Sequence, residues 1–241
     1  MDTIFDEFPQ LGKVEMREAG TQRKIKSFVL RSGALKPFQL EALRQFYPTH
    51  VVEYQKGILD FTTVFGNDKP VIIEIGFGMG ASSHRIAKER QEYNYLGLEV
   101  FLSGFTKLLS LIGKDGLTNI RIMRFDAVEV LTHMIAEGSV AGFHIFFPDP
   151  WPKKKHHKRR LIQEPLANLI AQKLKKGGYI YCVTDWEEYA YQMLDVFAKI
   201  PSLTNTYDGF APPKEWRPTT SFEQKGLAQE FPINEVWVEK L

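Results

Sequence analysis

Val71-Ile72-Ile73-Glu74-Ile75-Gly76-Phe77-Gly78-Met79-Gly80-Ala81-Ser82-Ser83 decides the fold class of this 241-residue chain. Pro70 opens a β-branched run that breaks into alternating glycines, and a helix-like stretch runs on through Arg90, giving strand, glycine turn and helix. The glycines let the backbone approach a ligand closely. Ser82 or Ser83 can cap a helix whose unpaired N–H groups attract a carboxylate or phosphate. With Ala81 the pattern also satisfies the looser dinucleotide form G-x-G-x-x-A, so Gly76, Gly78 and Gly80 alone choose no cofactor. Glu74 narrows the choice. A carboxylate two residues before the first glycine would repel a pyrophosphate, but it suits S-adenosylmethionine, which carries an ammonium and a sulfonium and no phosphate. The alternative is a glutamate that only anchors a nearby loop through hydrogen bonds.

Strand-like and helix-like segments alternate after the turn. Residues 95–99 read as a second strand ending in Glu99, placed where nucleotide folds carry the acid that holds the ribose hydroxyls. A helix over 101–112 follows, Gly113 and Gly116 turn the chain, and a third strand over 120–125 leads to Asp126. That carboxylate could accept from an adenine amino group or cap the helix after it. Upstream, Pro37 opens a packing helix that Pro48 is expected to end.

The fourth strand runs into His144-Ile145-Phe146-Phe147-Pro148-Asp149-Pro150-Trp151-Pro152, and Lys153-Lys154-Lys155-His156-His157-Lys158-Arg159-Arg160 follows at once. Prolines on both sides of Asp149 remove two backbone donors and restrict the dihedrals, so the carboxylate should sit on a stiff loop at the carboxyl end of a buried strand. In open α/β sheets ligands bind at that end. The basic run holds six of the 31 Lys and Arg residues, and without it 29 Asp and Glu face 25 cations, a balance of −4 in a chain of net charge +2. A focused patch of this kind suits a phosphate backbone better than a diffuse cationic surface does. A helix over 161–176 is expected to end at Gly177-Gly178, before a fifth strand over 179–184. Asp185 then stands before another helix as a cap, a substrate contact or both. Residues 234–239 alternate and read as a last, antiparallel strand.

The length and a 44% hydrophobic content allow one large core. Residues 1–36 read as a basic arm with little core of its own, able to order on a partner, and 37–241 as a single domain. The acidic opening lacks the features of a signal peptide and no apolar run reaches membrane-spanning length, so a cytoplasmic protein without membrane contact is expected. Cys182, the one cysteine, excludes an internal disulfide and any multi-cysteine metal site, and no metal is expected.

Residues 74–80, 147–154, 156–160, 184–189 and 222–226 together resemble the bacterial tRNA (guanine-N7-)-methyltransferase family, and the resemblance extends from about Arg23 onward. The glycine motif is shared by many methyltransferases, whereas Pro-Asp-Pro-Trp followed by the basic run is specific. The resemblance implies an α/β fold, a doubly wound, mostly parallel seven-stranded Rossmann-like sheet with an antiparallel last strand. It implies methyl transfer from S-adenosylmethionine to N7 of guanine 46 in the tRNA variable loop, by a monomer or weak homodimer. By the same resemblance Glu74, Glu99, Asp126 and Asp149 match cofactor positions, with Asp149 also the catalytic acid. Lys153, Asp185, Thr220, Ser221, Phe222 and Glu223 match substrate positions, and Lys155, His156, His157, Lys158, Arg159 and Arg160 match the RNA-contacting segment. The chain departs from the family pattern at Ala34, Thr219 and Ser221.

Overall fold

The structure, a computed structural model, describes residues 3–15, 26–28, 34–219, 223 and 232–241. Its sheet has seven strands: β1 (Val71–Ile75), β2 (Asn94–Leu98), β3 (Ile120–Met123), β4 (Val140–Phe146), β5 (Leu174–Thr184), β6 (Leu203–Asn205) and β7 (Asn234–Lys240). Their order is β3-β2-β1-β4-β5-β7-β6. β1 with β2, β2 with β3 and β4 with β5 pair in parallel, whereas β7 runs antiparallel to both β5 and β6. This is the expected mostly parallel α/β sheet with an antiparallel last strand. The residues alone located six of the seven strands that the resemblance implies; the three-residue β6 is the seventh, and so short a segment carries no period, while short edge strands limit edge-to-edge pairing. The chain divides into two compact units.

The first unit comprises the described residues of Met1–Thr21 and Leu30–Ala136. Every residue of β1 and β2 is buried, Glu74 and Asn94 included, as strands of a parallel sheet covered on both faces should be. The helices are α1 (Thr3–Glu7), α2 (Pro37–His50), α3 (Phe61–Phe65), α4 (Ala81–Glu89), α5 (Leu102–Asp115) and α6 (Ala127–His133). Two expectations change here. Pro48 lies within the last turn of α2, where its missing N–H removes one bond and Val51 N–H still closes on Tyr47 O at 3.1 Å. Gly113 does not turn the chain: it sits inside α5, where a Cβ would come 2.2 Å from the Phe46 ring of α2, so its bareness permits helix packing. Gly116 alone makes the left-handed C-terminal cap. Within the expected arm, Leu11 and Val14 are buried, Arg124 donates to Leu11 O, and Asp126 N–H donates to Val14 O at 2.7 Å.

The second unit comprises Gln22–Val29, described at 26–28, and the described residues of Glu137–Leu241, including α7 (Glu164–Lys173) and α8 (Glu187–Ala198). α7 is shorter than expected and does not end at Gly177-Gly178. Leu174 already pairs with Val140, and the register then jumps to Gly142 opposite Tyr179, with Gly177 left-handed at φ 72°. A Cβ at Gly178 would lie 2.9 Å from Lys175 O and 3.1 Å from Ala141 O, so this glycine permits a bulge instead of a cap. Among the described residues no helix is long and apolar enough to cross a membrane, and no three His, Cys, Asp or Glu side chains group to hold a metal ion.

Candidate active site

In the first unit the glycine turn runs from β1 into α4 with Gly76, Gly78 and Gly80 all left-handed, at φ 78°, 55° and 74°. Gly80 is itself the N-cap of α4, with no side-chain cap, so neither Ser82 nor Ser83 has the capping role expected. Nothing lies within 4 Å of a Cβ built on Gly76 or Gly78, whereas one on Gly104 would be 2.0 Å from Gly78 O. The turn therefore rests on α5 on one side and is open above its first two glycines. Glu99 holds it from below: one carboxylate oxygen accepts from Gly78 N–H at 2.7 Å, the other from Val100 and Phe101 N–H at 2.7 and 2.9 Å.

Glu74 is 5% exposed, and burial pushes its pKa up to about 7; the Ser83 hydroxyl opposes the shift and the Glu99 charge adds to it. Burial also raises Glu99, although its three backbone donors and Arg124 favour the ionised form. Arg124 is itself pulled down to about 10 by burial. Asp126 is the N-cap of α6, accepting from Glu129 N–H at 3.2 Å, with burial raising its pKa. The capping reading of Asp126 is thus realised, and it leaves lone pairs over.

In the second unit, β4 ends at Phe146 and Phe147 N–H donates to Val183 O at 2.7 Å. Phe147 and Trp151 bracket the Pro148-Asp149-Pro150 loop and are the two non-glycine residues with left-handed φ among those described, at 50° and 45°. Strain of about 1–3 kcal/mol at each such residue must be held by its surroundings. Asp149 is exposed and makes no hydrogen bond or ion pair among the described residues. Asp185, half-buried beyond the end of β5, makes none either, because Trp186 is the N-cap of α8 and no side chain caps that helix. The parallel register Phe146↔Val183 sets these two carboxylates just beyond the ends of neighbouring strands.

The basic run forms a 3-10 helix, Lys154–Arg159. Lys153, Lys154, Lys155 and Lys158 are exposed, and His156 and His157 half-buried. Arg159 lies 3.8 Å over the Trp151 ring and donates to Lys26 O at 3.1 Å, while Trp151 Nε1 donates to Ser27 O at 3.3 Å. Arg160 departs from the expectation of an RNA contact: the residue is 2% exposed, because Glu188, Gln192 and Pro150 O enclose its guanidinium. Glu223 is buried as well. Its two oxygens accept from Arg217 Nη1 and Nη2 at 2.6 and 2.9 Å, so its carboxylate is taken up by the protein. Thr220, Ser221 and Phe222 lie outside the described residues.

A model of the family described as putative methyltransferase matches residues 68–236. A tRNA (guanine-N(7)-)-methyltransferase of Cupriavidus metallidurans is 51% identical over 213 residues, covering 87% of this chain and 81% of the relative. The protein of that name from Burkholderia cenocepacia is 52% identical over 205 residues, covering 85% and 80%. This chain belongs to the tRNA (guanine-N(7)-)-methyltransferase family. The crystal structure of a 16S rRNA methyltransferase, KamB, is similar in fold, with a TM-score of 0.55 at 13% identity over 80% of this chain and 99% of that one.

The sequence of this methyltransferase-family chain did not reveal the cluster behind its β5 edge. Arg217 also donates to Glu235 at 2.8 Å and to Tyr181 Oη at 3.0 Å, and Tyr181 donates to Glu235. Burial pulls the Arg217 guanidinium down, but the bonds to Glu223 and Glu235 outweigh it and hold the group above its ordinary pKa. The one signal was Glu235, alternating with Trp237 between the apolar Val236 and Val238, and no spacing links it to Arg217. His144, buried beside them, shares a 2.9 Å hydrogen bond with Tyr179 Oη and stacks on Trp216 with centroids 5.2 Å apart.

Proposed function

We propose that this chain transfers the methyl group of S-adenosylmethionine to N7 of a guanosine in tRNA, guanine 46 of the variable loop, forming 7-methylguanosine. The observation that carries this reading is the pair Asp149 and Asp185, two carboxylates without a protein partner among the described residues, beyond the ends of adjacent parallel strands. Asp185, half-buried and left this way, suits a ligand rich in N–H donors, with the exposed Asp149 free to accept from the same ligand, and guanine offers N1–H and an exocyclic amine. Relatives of about 50% identity bear the tRNA (guanine-N(7)-)-methyltransferase name, which supports the substrate class.

The first unit fits the cofactor on its own chemistry. Open space over Gly76 and Gly78 admits close backbone approach, Glu99 is preset by three backbone donors, and the carboxylates of Glu74 and Glu99 favour cationic groups over phosphates. Glu99 would hold the ribose hydroxyls, Asp126 the adenine amine through the lone pairs its cap leaves, and Glu74 would favour the positive end. Bound there, the cofactor would supply an electrophilic methyl on a sulfonium.

Guanine N7 has a lone pair at neutral pH, so no residue needs to remove a proton to make the nucleophile. In the transfer that a bound cofactor would supply, a C–S bond would break as the N–C bond forms, its electron pair staying on sulfur, and the positive charge would pass to the purine ring. Asp149 and Asp185 orient the base and stabilise that developing charge, so positioning and electrostatics dominate. Lys153, Lys155, His156 and Lys158 face the phosphates. Residues 37–241 act as one catalytic domain, with 1–36 as an arm that tRNA engages, and the enzyme works as a monomer or weak homodimer in the cytoplasm, where its substrate is made.

The test is single-turnover methylation of tRNA lacking the modification, followed by nucleoside analysis and mapping. The parent should yield 7-methylguanosine at position 46, and Asp149→Asn should lower the rate by about 10²-fold, comparable to removing one preorganised group. A product methylated on an exocyclic amine, or cofactor binding without turnover on any RNA, would replace this reading with an amine methyltransferase or an RNA-binding protein.

A further inference from the structure

Arg160 is the last cation of the basic run, and its side chain is 0% exposed. All five of its N–H donors have partners. Nε donates to Pro150 O at 2.8 Å; Nη1 donates to Glu188 Oε1 at 3.2 Å and to Gln192 Oε1; Nη2 donates to Glu188 Oε2 at 3.0 Å. The fifth partner is His157 Nε2, 3.2 Å from Nη2, which accepts when the ring carries its proton on Nδ1, facing Glu188. The guanidinium carbon lies 4.8 Å over the Tyr189 ring. A phosphate could reach this group only by breaking the set.

What the set joins is informative. Pro150 is the residue after Asp149, in a loop with prolines on both sides of the acid and left-handed residues at both limits. Prolines bring no N–H, so the loop cannot build a ladder of its own; Phe147 N–H fixes its start to Val183 O, and Arg160 fixes its far side. Glu188 and Gln192 lie on α8, which begins two residues after Asp185. One guanidinium therefore ties the loop of the first carboxylate to the helix that follows the second. Lys in its place could not do this, since a point donor lacks the planar fork.

We propose that Arg160 is a positioning residue for methyl transfer: it holds the Asp149 loop against α8 and so keeps the spacing at which Asp149 and Asp185 meet guanine, without touching RNA. The proposal rests on the reading that Asp149 binds the target base. The experiment compares Arg160→Lys, Asp149→Asn and the double variant by single-turnover rate at saturating cofactor and tRNA, by tRNA affinity at several salt concentrations, and by thermal unfolding. Arg160→Lys should lower the rate by about 10-fold or more, since small misplacement of reacting groups is costly, with tRNA affinity and its salt slope unchanged. In the Asp149→Asn background the same change should add little, because it acts through that residue.

A shallower salt slope with a parental rate would make Arg160 a phosphate ligand, and a parental rate with lowered melting temperature would make it a structural brace alone; either overturns the proposal. Additive losses in the double variant would also overturn it. If Asp149→Asn keeps the parental rate, the guanine-binding reading fails first and this one with it, whereas loss in Asp149→Asn alone sinks only this one. Should Arg160→Lys fail to fold, Gln192→Met, which removes one acceptor, gives the same test at about threefold in rate.

Discussion

At the carboxyl ends of β1, β2 and β3 the protein itself surrounds its acids: Glu74, within β1, is sealed in, Glu99 accepts three backbone N–H bonds, and Asp126 caps a helix. After β4 and β5 the corresponding acids, Asp149 and Asp185, have no such partners among the described residues, and the second unit buries its charges elsewhere, around Arg217. The contrast separates two ways of preparing a site. Acids held by backbone donors are preorganised before any ligand arrives, at a desolvation cost visible in raised pKa values. Acids left open are completed by the ligand, and what is preset there is the loop that carries them.

The contrast can be tested at several points. The largest effect should come from Arg217→Met, which strands Glu223 and Glu235 without their cation; breaking one side of a buried charge cluster costs about 3–5 kcal/mol of unfolding free energy, measurable in urea. If Arg217→Met is as stable as the parent, the cluster is not where the second unit's buried charge is compensated.

Next comes Glu74. Its carboxyl has a raised folded-state pKa, so between about pH 4.5 and 7 the unfolded chain has lost a proton that the folded chain keeps. Its contribution to stability is complete below that window and disappears as pH rises through it, at about 1.4 kcal/mol per unit and at most about 3.5 kcal/mol in all. Glu74→Gln has no proton to lose, so its stability relative to the parent should climb from pH 5 to pH 7 in urea titrations. A constant difference would mean that Glu74 is not strained by burial.

Glu99→Ala should weaken S-adenosylmethionine binding by about 1.5–3 kcal/mol, the range for hydrogen bonds to charged groups, and isothermal calorimetry would detect it. Unchanged affinity would leave Glu99 only as a brace for the glycine turn. The smallest effect belongs to the exposed cations. Replacing Lys155 and Lys158 together by Ala should reduce the slope of log affinity for tRNA against log salt by about 2, one for each phosphate contact removed, with cofactor affinity untouched.

The positions of the first five strands, the glycine turn and the antiparallel return were legible because each has a local signature: β-branched runs, glycines at fixed offsets, and alternation at 234–239. Misread positions were those whose reason lies in another element. Gly113 looks like a turn until Phe46 is seen against it, and Gly177-Gly178 like a cap until Leu174 is seen paired with Val140. Charge made the same difficulty. Arg160 differs from Lys158 by nothing that sequence spacing reveals; what distinguishes it is Glu188 and Gln192, some thirty residues later, turned toward it. Composition located the basic patch correctly as a segment, while tertiary contacts divided it into a brace, a stack on Trp151 and exposed lysines.

The placement of β7 bears on how the chain is made. β5 is complete at Thr184, but the strand that covers its second edge is Asn234–Lys240, about fifty residues later in synthesis. During that interval Tyr179-Ile180-Tyr181-Cys182-Val183, a segment rich in β-forming residues and without charge, presents an unpaired ladder. β6 cannot shield it, because β6 joins the sheet only through β7. Chains stopped before 234 should therefore associate edge to edge, and the nascent protein has a window of aggregation that closes when its last strand emerges.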